Sequence, residues 1–332
     1  HVYGTGYLRG QVDFGNITIN STGFDGWMAR VNSSTGNFDW AMKFGGWDVD
    51  VGWDLACDKW DNLFVTGYYQ NLSEFGNTQL VSPSNENSRF FIAYYNFTLN
   101  NFQWAKHATA GGESASSVPF QIIVDKVTNH AYVAGYNTGS ESWSGRFSSN
   151  APSVYAGFVI KYNDTGYLEW GRYIGGTSCF LSSCGVYFNN IVLHPVDGVI
   201  VGGNFNQDYM IGQNAYIAEG SWDVLVAWFG SNGTRNWVYH AGGQGDDRIQ
   251  ALAVNGKSQV LFGGWHYNDL KFGSNTINKA TNTTQKSDFF FAQIDHDSDF
   301  LWAKSMGGPD NDTMGALLVE ADGTIIAGGD FS

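Results

Sequence analysis

The chain has 332 residues and a formal net charge of −14, with 43 glycines and only five prolines. This charge excludes function classes that need clustered Lys and Arg, such as binding to nucleic acid or to anionic lipid. No apolar run approaches the roughly 20 residues that a membrane-spanning helix requires. The 13 Trp, 17 Tyr and 24 Phe suffice for a large core, and the many glycines suit tight turns between strands.

The chain begins at His1, without an initiator Met. Because this residue already stands within a predicted strand, we expect a processed product or a fragment of a longer protein. All-β domains often exceed the usual domain size, so residues 1–332 are compatible with one domain.

The first complete unit contains four short β segments. An apolar run at 27–31 leads into a polar turn, and a second run carries Trp40 and ends at Gly45-Gly46. An acidic loop, a third run that ends at Cys57 and a fourth run follow. Apolar runs separated by turn residues predict β-strands. One such unit cannot bury both of its faces, so the copies must stack on one another.

This unit recurs about every 65 residues. The second strand carries a Trp in each copy, at Trp40, Trp104, Trp170, Trp237 and Trp302. A glycine pair follows each of them, at Gly45-Gly46, Gly111-Gly112, Gly175-Gly176, Gly242-Gly243 and Gly307-Gly308. The fourth strand carries a Gly at Gly6, Gly67, Gly135, Gly203, Gly264 and Gly329, and a Gly inside a strand indicates a bulge or a close backbone approach. The approximate repeats are 1–24 (a partial strand and hairpin), 25–87, 88–153, 154–220, 221–285 and 286–332.

The units resemble the SBBP-type β-propeller repeats of bacterial and protist extracellular proteins. The stretches that carry the resemblance are SDFFFAQID, FLWAKSMGG, ALLVEADG and TIIAGG in the last copy and DNLFVTGYY in the first. The resemblance extends over essentially the whole chain. It implies an all-β fold, a β-propeller of five blades with four or more antiparallel strands each. It implies no particular activity, since such repeats serve as scaffolds and adhesive surfaces.

The strand count is uneven. The first, second and third strands occur five times each, whereas the fourth-strand motif occurs six times. Propellers commonly close by pairing strands from the two termini, which protects their edges. The unmatched strand is therefore predicted to pair with a neighbouring molecule, or the chain continues into further repeats. The predicted assembly strands are the terminal ones, with residues Val2, Tyr3, Gly6, Ile325, Ile326 and Gly329, and an open end of this kind leads to filaments through heterologous contacts.

Nine Asn-X-Ser/Thr sequons predict N-glycosylation, at Asn16, Asn20, Asn32, Asn71, Asn96, Asn163, Asn232, Asn282 and Asn311. Four of them fall in the turn between the first and second strands, where a glycan is tolerated. The alternative is that Asn simply favours such turns. The density of sequons predicts a secreted, extracellular or cell-surface glycoprotein. In that environment Cys179 and Cys184 are predicted to form a disulfide, and Cys57 to be a buried free thiol.

Acidic loops follow three of the glycine pairs, with Asp48 and Asp50, Asp246 and Asp247, and Asp310 and Asp312. Clustered carboxylates bind hard cations such as calcium, but the spacing matches no EF-hand or nonapeptide calcium pattern. A solvated acidic rim is the preferred interpretation. No other cofactor is expected.

Catalysis has little support in the sequence. There is no G-x-S-x-G or H-E-x-x-H motif, and no distinctive pair of acids points to a glycosidase or lyase. His107 and His240 share one repeat position, but Lys43, Tyr173 and Ser305 occupy it elsewhere, so a channel-lining or surface role is favoured. We expect no enzymatic activity.

The aromatic residues have two interpretations. The repeated Trp is predicted to pack between blades. The additional ones, Trp27, Trp53, Trp60, Trp222, Trp228 and Trp265, are predicted to fill the core or, alternatively, to stack on sugar rings. The leading function is therefore an extracellular structural repeat protein that self-assembles into a surface filament, sheath or flagellar hair. The alternative is a carbohydrate-binding adhesin.

Overall fold

A computed structural model describes residues 1–82, 87–110, 115–175, 185–206, 208–211, 214–279, 286–320 and 322–331. Within these residues the regular structure is β-strand, as predicted. The chain divides into two compact units: unit 1 comprises residues 1–152 and 158–173, and unit 2 comprises 153–157 and 174–332. Among the described residues no helix is long and apolar enough to span a membrane.

The described strands follow one another at short intervals. In unit 1 and the segment that leaves it they are β1 (Val2–Phe14), β2 (Ile17–Val31), β3 (Phe38–Phe44), β4 (Asp50–Cys57), β5 (Leu63–Tyr69), β6 (Leu72–Phe75), β7 (Thr78–Val81), β8 (Arg89–Asn96), β9 (Asn101–Ala110), β10 (Ser116–Asp125), β11 (His130–Trp143), β12 (Phe147–Asn163) and β13 (Leu168–Ile174). In unit 2 they are β14 (Val186–Leu193), β15 (Val199–Phe205), β16 (Tyr209–Ile211), β17 (Asn214–Tyr216), β18 (Asp223–Phe229), β19 (Arg235–Ala241), β20 (Arg248–Val254), β21 (Val260–His266), β22 (Leu270–Phe272), β23 (Asn275–Ile277), β24 (Asp288–Ile294), β25 (Phe300–Met306), β26 (Thr313–Val319) and β27 (Ile325–Asp330).

The long strands fall into four types that repeat along the described chain. The first type is β2, β8, β12, β18 and β24, and the second is β3, β9, β13, β19 and β25. The third type is β4, β10, β14, β20 and β26, and the fourth is β1, β5, β11, β15, β21 and β27. The predicted count of five, five, five and six is confirmed among the described residues.

Four antiparallel sheets share one order, third–fourth–first–second. They are β4-β5-β8-β9, β10-β11-β12-β13, β14-β15-β18-β19 and β20-β21-β24-β25, of which the first two are joined where β11 pairs β9. Two sheets are partial within the described residues: β1-β2-β3 lacks a third-type strand, and β26-β27 lacks the first and second types. Three short hairpins, β6-β7, β16-β17 and β22-β23, stand between the fourth and first types.

The fourth-strand glycines lie opposite β-bulges. The register shifts beside each of the five that pair with a third-type strand, for example between Gly52 and Asp54 opposite Gly67. A Cβ on Gly67 would lie 1.8 Å from Val51 O, and one on Gly203 would lie 1.8 Å from Tyr187 O. No other residue fits these positions, so the predicted close approach of two backbones is confirmed.

Candidate assembly edges and buried acidic clusters

The predicted assembly residues lie on strands with an unpaired edge. Within the described residues β1 pairs only with β2, and β27 pairs only with β26. Val2 is 57% exposed and Ile326 is 50% exposed, while Tyr3 and Ile325 are half-buried. Gly6 lies against the Trp27 indole. Free backbone donors and acceptors beside exposed apolar side chains are the features with which a sheet edge recruits another strand.

The apolar exposure of β27 is unusual for its strand type. Three residues before the fourth-strand Gly, Phe64, Tyr132, Ile200 and Leu261 are 0–2% exposed, whereas Ile326 is 50% exposed. Two residues after that Gly, the side chains are 0–5% exposed in five copies, at Leu8, Tyr69, Asn137, Phe205 and His266. Phe331 at the same position is 60% exposed. β27 and Phe331, the residue after it, thus keep core-type side chains at positions that stay largely exposed, although the Phe331 ring contacts Phe289 at 4.9 Å.

Buried acids form pairs in three repeats. Each pair consists of the last acid of the loop after the glycine pair and an aspartate near the start of the apolar run in the first-type strand. The sequence analysis did not predict these pairs. The pairs are Asp25 with Asp50 and Asp223 with Asp247, and Asp288 and Asp312 hold the same two positions in the last repeat; all six are 0–1% exposed. The sequence signal was available, because an aspartate stands at the same place before each of these three strands.

The glycine pair makes room for the two carboxylates. A Cβ on Gly45 would lie 2.8 Å from Asp25 Oδ1 and 2.8 Å from Asp50 Oδ2, so a side chain does not fit there. The second glycine donates its amide: Gly46 N lies 2.7 Å from Asp50 Oδ2. The same contact recurs in the last repeat, from Gly308 N to Asp312 Oδ2 at 2.5 Å. In these three repeats the first glycine of the pair is therefore explained by the acid that it accommodates.

Burial raises the pKa of two of the loop acids. The pKa of Asp50 rises to about 7 and that of Asp247 to about 8, because each carboxyl is removed from water and faces a second acid, Asp25 or Asp223. The pKa of Asp223 rises to about 6 for the same main reason. Among the described atoms, Oδ1 of Asp25 and Oδ1 of Asp223 accept no hydrogen bond. In the first pair, Lys43 Nζ lies 2.5 Å from Asp25 Oδ2 and compensates part of the negative charge.

The second repeat has a different arrangement at this place. Arg89 stands where these three repeats have the first aspartate. Ser117 replaces the loop acid, since Ser117 N donates to Ser88 O as Asp247 N donates to Trp222 O. The guanidinium pairs with Glu141 at 3.2 Å, and both side chains are fully buried. Burial raises the pKa of Glu141 to about 7 although Arg89 lowers it.

The predicted solvated acidic rim is wrong for three of its six residues. Asp48 and Asp310 are exposed and Asp246 is half-exposed, but Asp50, Asp247 and Asp312 are buried. In the first and last of these loops, the last acid accepts a hydrogen bond from the amide of the second glycine. Within the described ranges no group of three or more His, Cys, Asp or Glu is placed to hold a metal ion.

The eight sequons within the described residues have exposed or half-exposed Asn side chains. Several of these side chains also cap their own turn. Asn32 Oδ1 accepts from Ser34 N, and Asn163 Oδ1 accepts from Thr165 N, as Asp295 does in the repeat that lacks a sequon. Turn capping thus accounts for Asn at this position, and glycosylation stays a prediction. Asn282 lies outside the described residues.

The structure describes one of the three cysteines and both of the histidines that share a repeat position. Cys57 is a free but only half-buried thiol that accepts from Lys126 Nζ at 3.3 Å, and Cys179 and Cys184 lie outside the described residues. His107 lies 2.5 Å from the Tyr69 hydroxyl, and burial lowers its pKa. Burial likewise lowers the pKa of His240.

Among the repeated tryptophans, Trp104 and Trp237 contact the following sheet, as predicted. The additional tryptophans divide into two groups. Trp27, Trp222, Trp228 and Trp265 are half-buried, whereas Trp53 is 44% and Trp60 is 59% exposed. Trp47 is 84% exposed.

Comparisons with known proteins are sparse. No family model matches the sequence. Over 194 residues the chain is 25% identical to an uncharacterized WD repeat-containing protein, L264, of Acanthamoeba polyphaga mimivirus, a match that covers 53% of this chain and 14% of that protein. The chain therefore spans a small part of the curated relative that it matches.

Two solved structures align with most of the chain at low TM-score and low identity. A protein from Lactobacillus plantarum aligns over 91% of this chain and 76% of its own, with a TM-score of 0.39 and 13% identity. A protein of unknown function from Bacteroides caccae aligns over 91% and 93%, with a TM-score of 0.38 and 9% identity. The repeated four-stranded sheets and the WD-repeat relative together indicate a β-propeller-like repeat fold.

Proposed function

We propose that this chain is an extracellular, N-glycosylated structural repeat protein that self-associates through its terminal strands into a surface filament, sheath or flagellar hair. The observation that carries the proposal is the apolar exposure of β27 and of Phe331, the residue that follows it. Ile326 and Phe331 are 50% and 60% exposed at positions that are buried in other copies of the strand. Side chains of the core type on an unpaired edge favour an intermolecular partner.

The proposal includes an SBBP-type architecture of five blades. The five first-type, second-type and third-type strands support this number, and the sixth fourth-type strand is the additional element available for assembly. Heterologous contacts between an N-terminal and a C-terminal strand propagate without closing, which yields a filament. The proposal includes no catalytic activity, cofactor, nucleic acid or membrane insertion.

Sedimentation velocity and electron microscopy of the purified chain test the proposal. The wild type is expected to form concentration-dependent oligomers, more readily at higher salt because the net charge of −14 opposes association. Replacing Ile326 and Phe331 by Lys is expected to leave a monomer of unchanged thermal stability. A matched control, Val127→Lys, alters a residue that is 87% exposed on a turn and should associate like the wild type. A wild type that stays monomeric at all concentrations and salt levels contradicts the proposal.

Glycosylation and secretion need a separate experiment. Intact-mass measurement of native material before and after enzymatic removal of N-glycans is expected to show a loss of mass, and peptide mapping is expected to place glycans on Asn32 and Asn163 among other sequons. Identical masses would reject the glycoprotein part of the proposal and leave self-association unaffected.

Carbohydrate binding is the second candidate, and the exposed Trp47 and Trp60 support it. A flat, solvent-facing indole stacks on the apolar face of a sugar ring. A pull-down on insoluble neutral polysaccharides should retain the wild type and lose the double variant W47A/W60A. Equal retention of both proteins, or of neither, argues against a lectin-like site at these residues.

A further inference from the structure

Trp side chains of second-type strands connect successive sheets. Trp104 Nε1 donates to Asp164 O at 2.8 Å, and Asp164 lies in the turn between the first-type and second-type strands of the next sheet. Trp237 Nε1 makes the same contact with His296 O at 2.9 Å. One contact in each unit therefore joins the indole of one sheet to the first–second turn of the following sheet.

Trp302 has the same position in the last repeat but a different partner. Its Nε1 donates to Gln293 Oε1, within its own sheet, at 2.6 Å. Within the described residues the following sheet consists of β26 and β27 alone and has no first–second turn. The indole is thus present without the carbonyl that its equivalents bind.

A second residue of β25 also lacks the cover that its equivalents in other repeats have. Four residues after the Trp, Phe44, Ala108, Ile174 and Ala241 are 0–3% exposed, whereas Met306 is 48% exposed. In the first repeat the Phe44 ring is covered by Phe75 of the β6-β7 hairpin, at 5.1 Å between ring centroids, and by two residues of the next sheet. Phe91 of a first-type strand and Phe102 of a second-type strand lie 5.5 Å and 6.2 Å from the Phe44 ring. Met306 therefore lacks a first-type and a second-type strand above it.

A hairpin with complementary exposure is present in this chain. β2 and β3 are a first-type and a second-type strand, and their turn spans residues 32–37. Two residues before the repeated Trp, Phe102 is 4% and Leu168 is 1% exposed, but Phe38 on β3 is 38% exposed. This hairpin thus exposes the side chain that would cover a residue such as Met306.

We propose that the β2-β3 hairpin of a second copy completes the β26-β27 sheet, with β27 taking the place that β1 now holds beside β2. The inference rests on the proposed self-association and names its partner segment. Both β1 and β27 are fourth-type strands, so the exchange keeps the strand order and replaces one set of backbone hydrogen bonds by an equivalent set. Only residues 2–8 of β1 must leave, because residues 10–14 form a separate local hairpin with 17–21.

The repeat fixes the register of this exchange. In one copy Tyr3 lies opposite Arg30 and Gly6 lies opposite Trp27. Counting from the fourth-strand Gly, Ile326 takes the position of Tyr3, and Gly329 takes that of Gly6. Ile326 of one copy is therefore placed opposite Arg30 of the other. Trp302 then reaches the 32–37 turn.

Disulfide trapping tests the register directly. Chains with Ile326→Cys and chains with Arg30→Cys are mixed and oxidised, and an intermolecular disulfide is expected because facing residues of paired strands meet the distance requirement. Each variant oxidised alone controls for the native cysteines, and Ile326→Cys mixed with Gln79→Cys on the exposed face of β7 is the geometric control. Oligomers that trap Ile326→Cys with Tyr3→Cys, and not with Arg30→Cys, overturn the exchange but leave the proposed function intact. A chain that never associates overturns both.

The Trp302 hydrogen bond gives an independent readout. Trp302→Phe keeps an aromatic ring and removes the donor, so association measured by sedimentation equilibrium should weaken about fivefold. The matched variant Trp237→Phe should lower thermal stability and leave association unchanged, because its acceptor lies in the same chain. Equal association of Trp302→Phe and the wild type contradicts the docking of the turn on this indole.

Discussion

Two regions of the molecule place residues of opposite charge at the same repeat position. Near the start of β18, Asp223 and Asp247 place two carboxylates together in the core. At the start of β8 the same position holds Arg89, which is paired with Glu141 at 3.2 Å. The ion pair neutralises itself within the chain, whereas the acid pair must hold a proton to avoid two adjacent buried negative charges. One backbone framework therefore accepts either arrangement. Both contain a carboxyl with a raised pKa, about 7 for Glu141 in the ion pair and about 8 for Asp247 in the acid pair.

Removing one member of the ion pair should have the largest effect. Arg89→Met leaves Glu141 buried without its cation and is expected to cost about 3–5 kcal/mol of unfolding free energy at pH 8, since an uncompensated charge then remains in the core. Urea unfolding measures this loss. The double variant R89M/E141L is the control and should recover most of it. A single variant as stable as the wild type would contradict the buried-pair geometry.

The acid pair should respond to pH in the direction set by its raised pKa. The pKa of Asp247 is about 8 in the folded chain, above its ordinary value near 3.8, so its contribution is complete below about pH 4 and is lost as pH rises through 8. Asp247→Asn should flatten this decline, which has a maximum slope of about 1.4 kcal/mol per pH unit for one group. Urea unfolding at pH 5, 7 and 9 measures the effect. Asp246→Asn, at the half-exposed neighbour, should keep the wild-type slope.

The first acid pair carries its own counter-charge and lies between these two cases. Lys43 Nζ bonds to Asp25 at 2.5 Å but is 41% exposed, so solvent screens part of the interaction. Lys43→Met should therefore cost about 1 kcal/mol at pH 8 and less at pH 5, where Asp50 is protonated. Thermal unfolding at the two pH values measures this difference. Lys257→Met, on an exposed turn, is the reference substitution.

An exposed ion pair should have the smallest effect. Lys286 and Asp310 lie 2.9 Å apart with side chains that are 39% and 57% exposed. Lys286→Ala should change the unfolding free energy by less than about 0.5 kcal/mol, and the change should vanish in 0.5 M salt. A loss as large as that of Arg89→Met would mean that burial does not govern these pairs.

Much of the fold was predictable from local pattern. The repeated Trp and Gly-Gly signals predicted the strand types, and the fourth-strand Gly predicted the bulges, because each depends on residues close in sequence or at a fixed repeat offset. The burial of Asp50 was not predicted, because its loop reads as polar and surface-exposed. The Arg89–Glu141 pair was not predictable, since Glu141 lies on an extension of β11 outside the repeat pattern.

The sequence by itself determined the strand types, their number and the alternation of turns, because apolar spacing and glycine placement act locally. Only the tertiary structure decided which acids are buried together and which edge carries exposed core residues. Both depend on what packs above a given position. Ile326 and Leu261 occupy the same repeat position, yet Ile326 is 50% exposed and Leu261 is 1% exposed. The reason is that a first-type strand lies beside β21, whereas none of the described strands lies at that place beside β27.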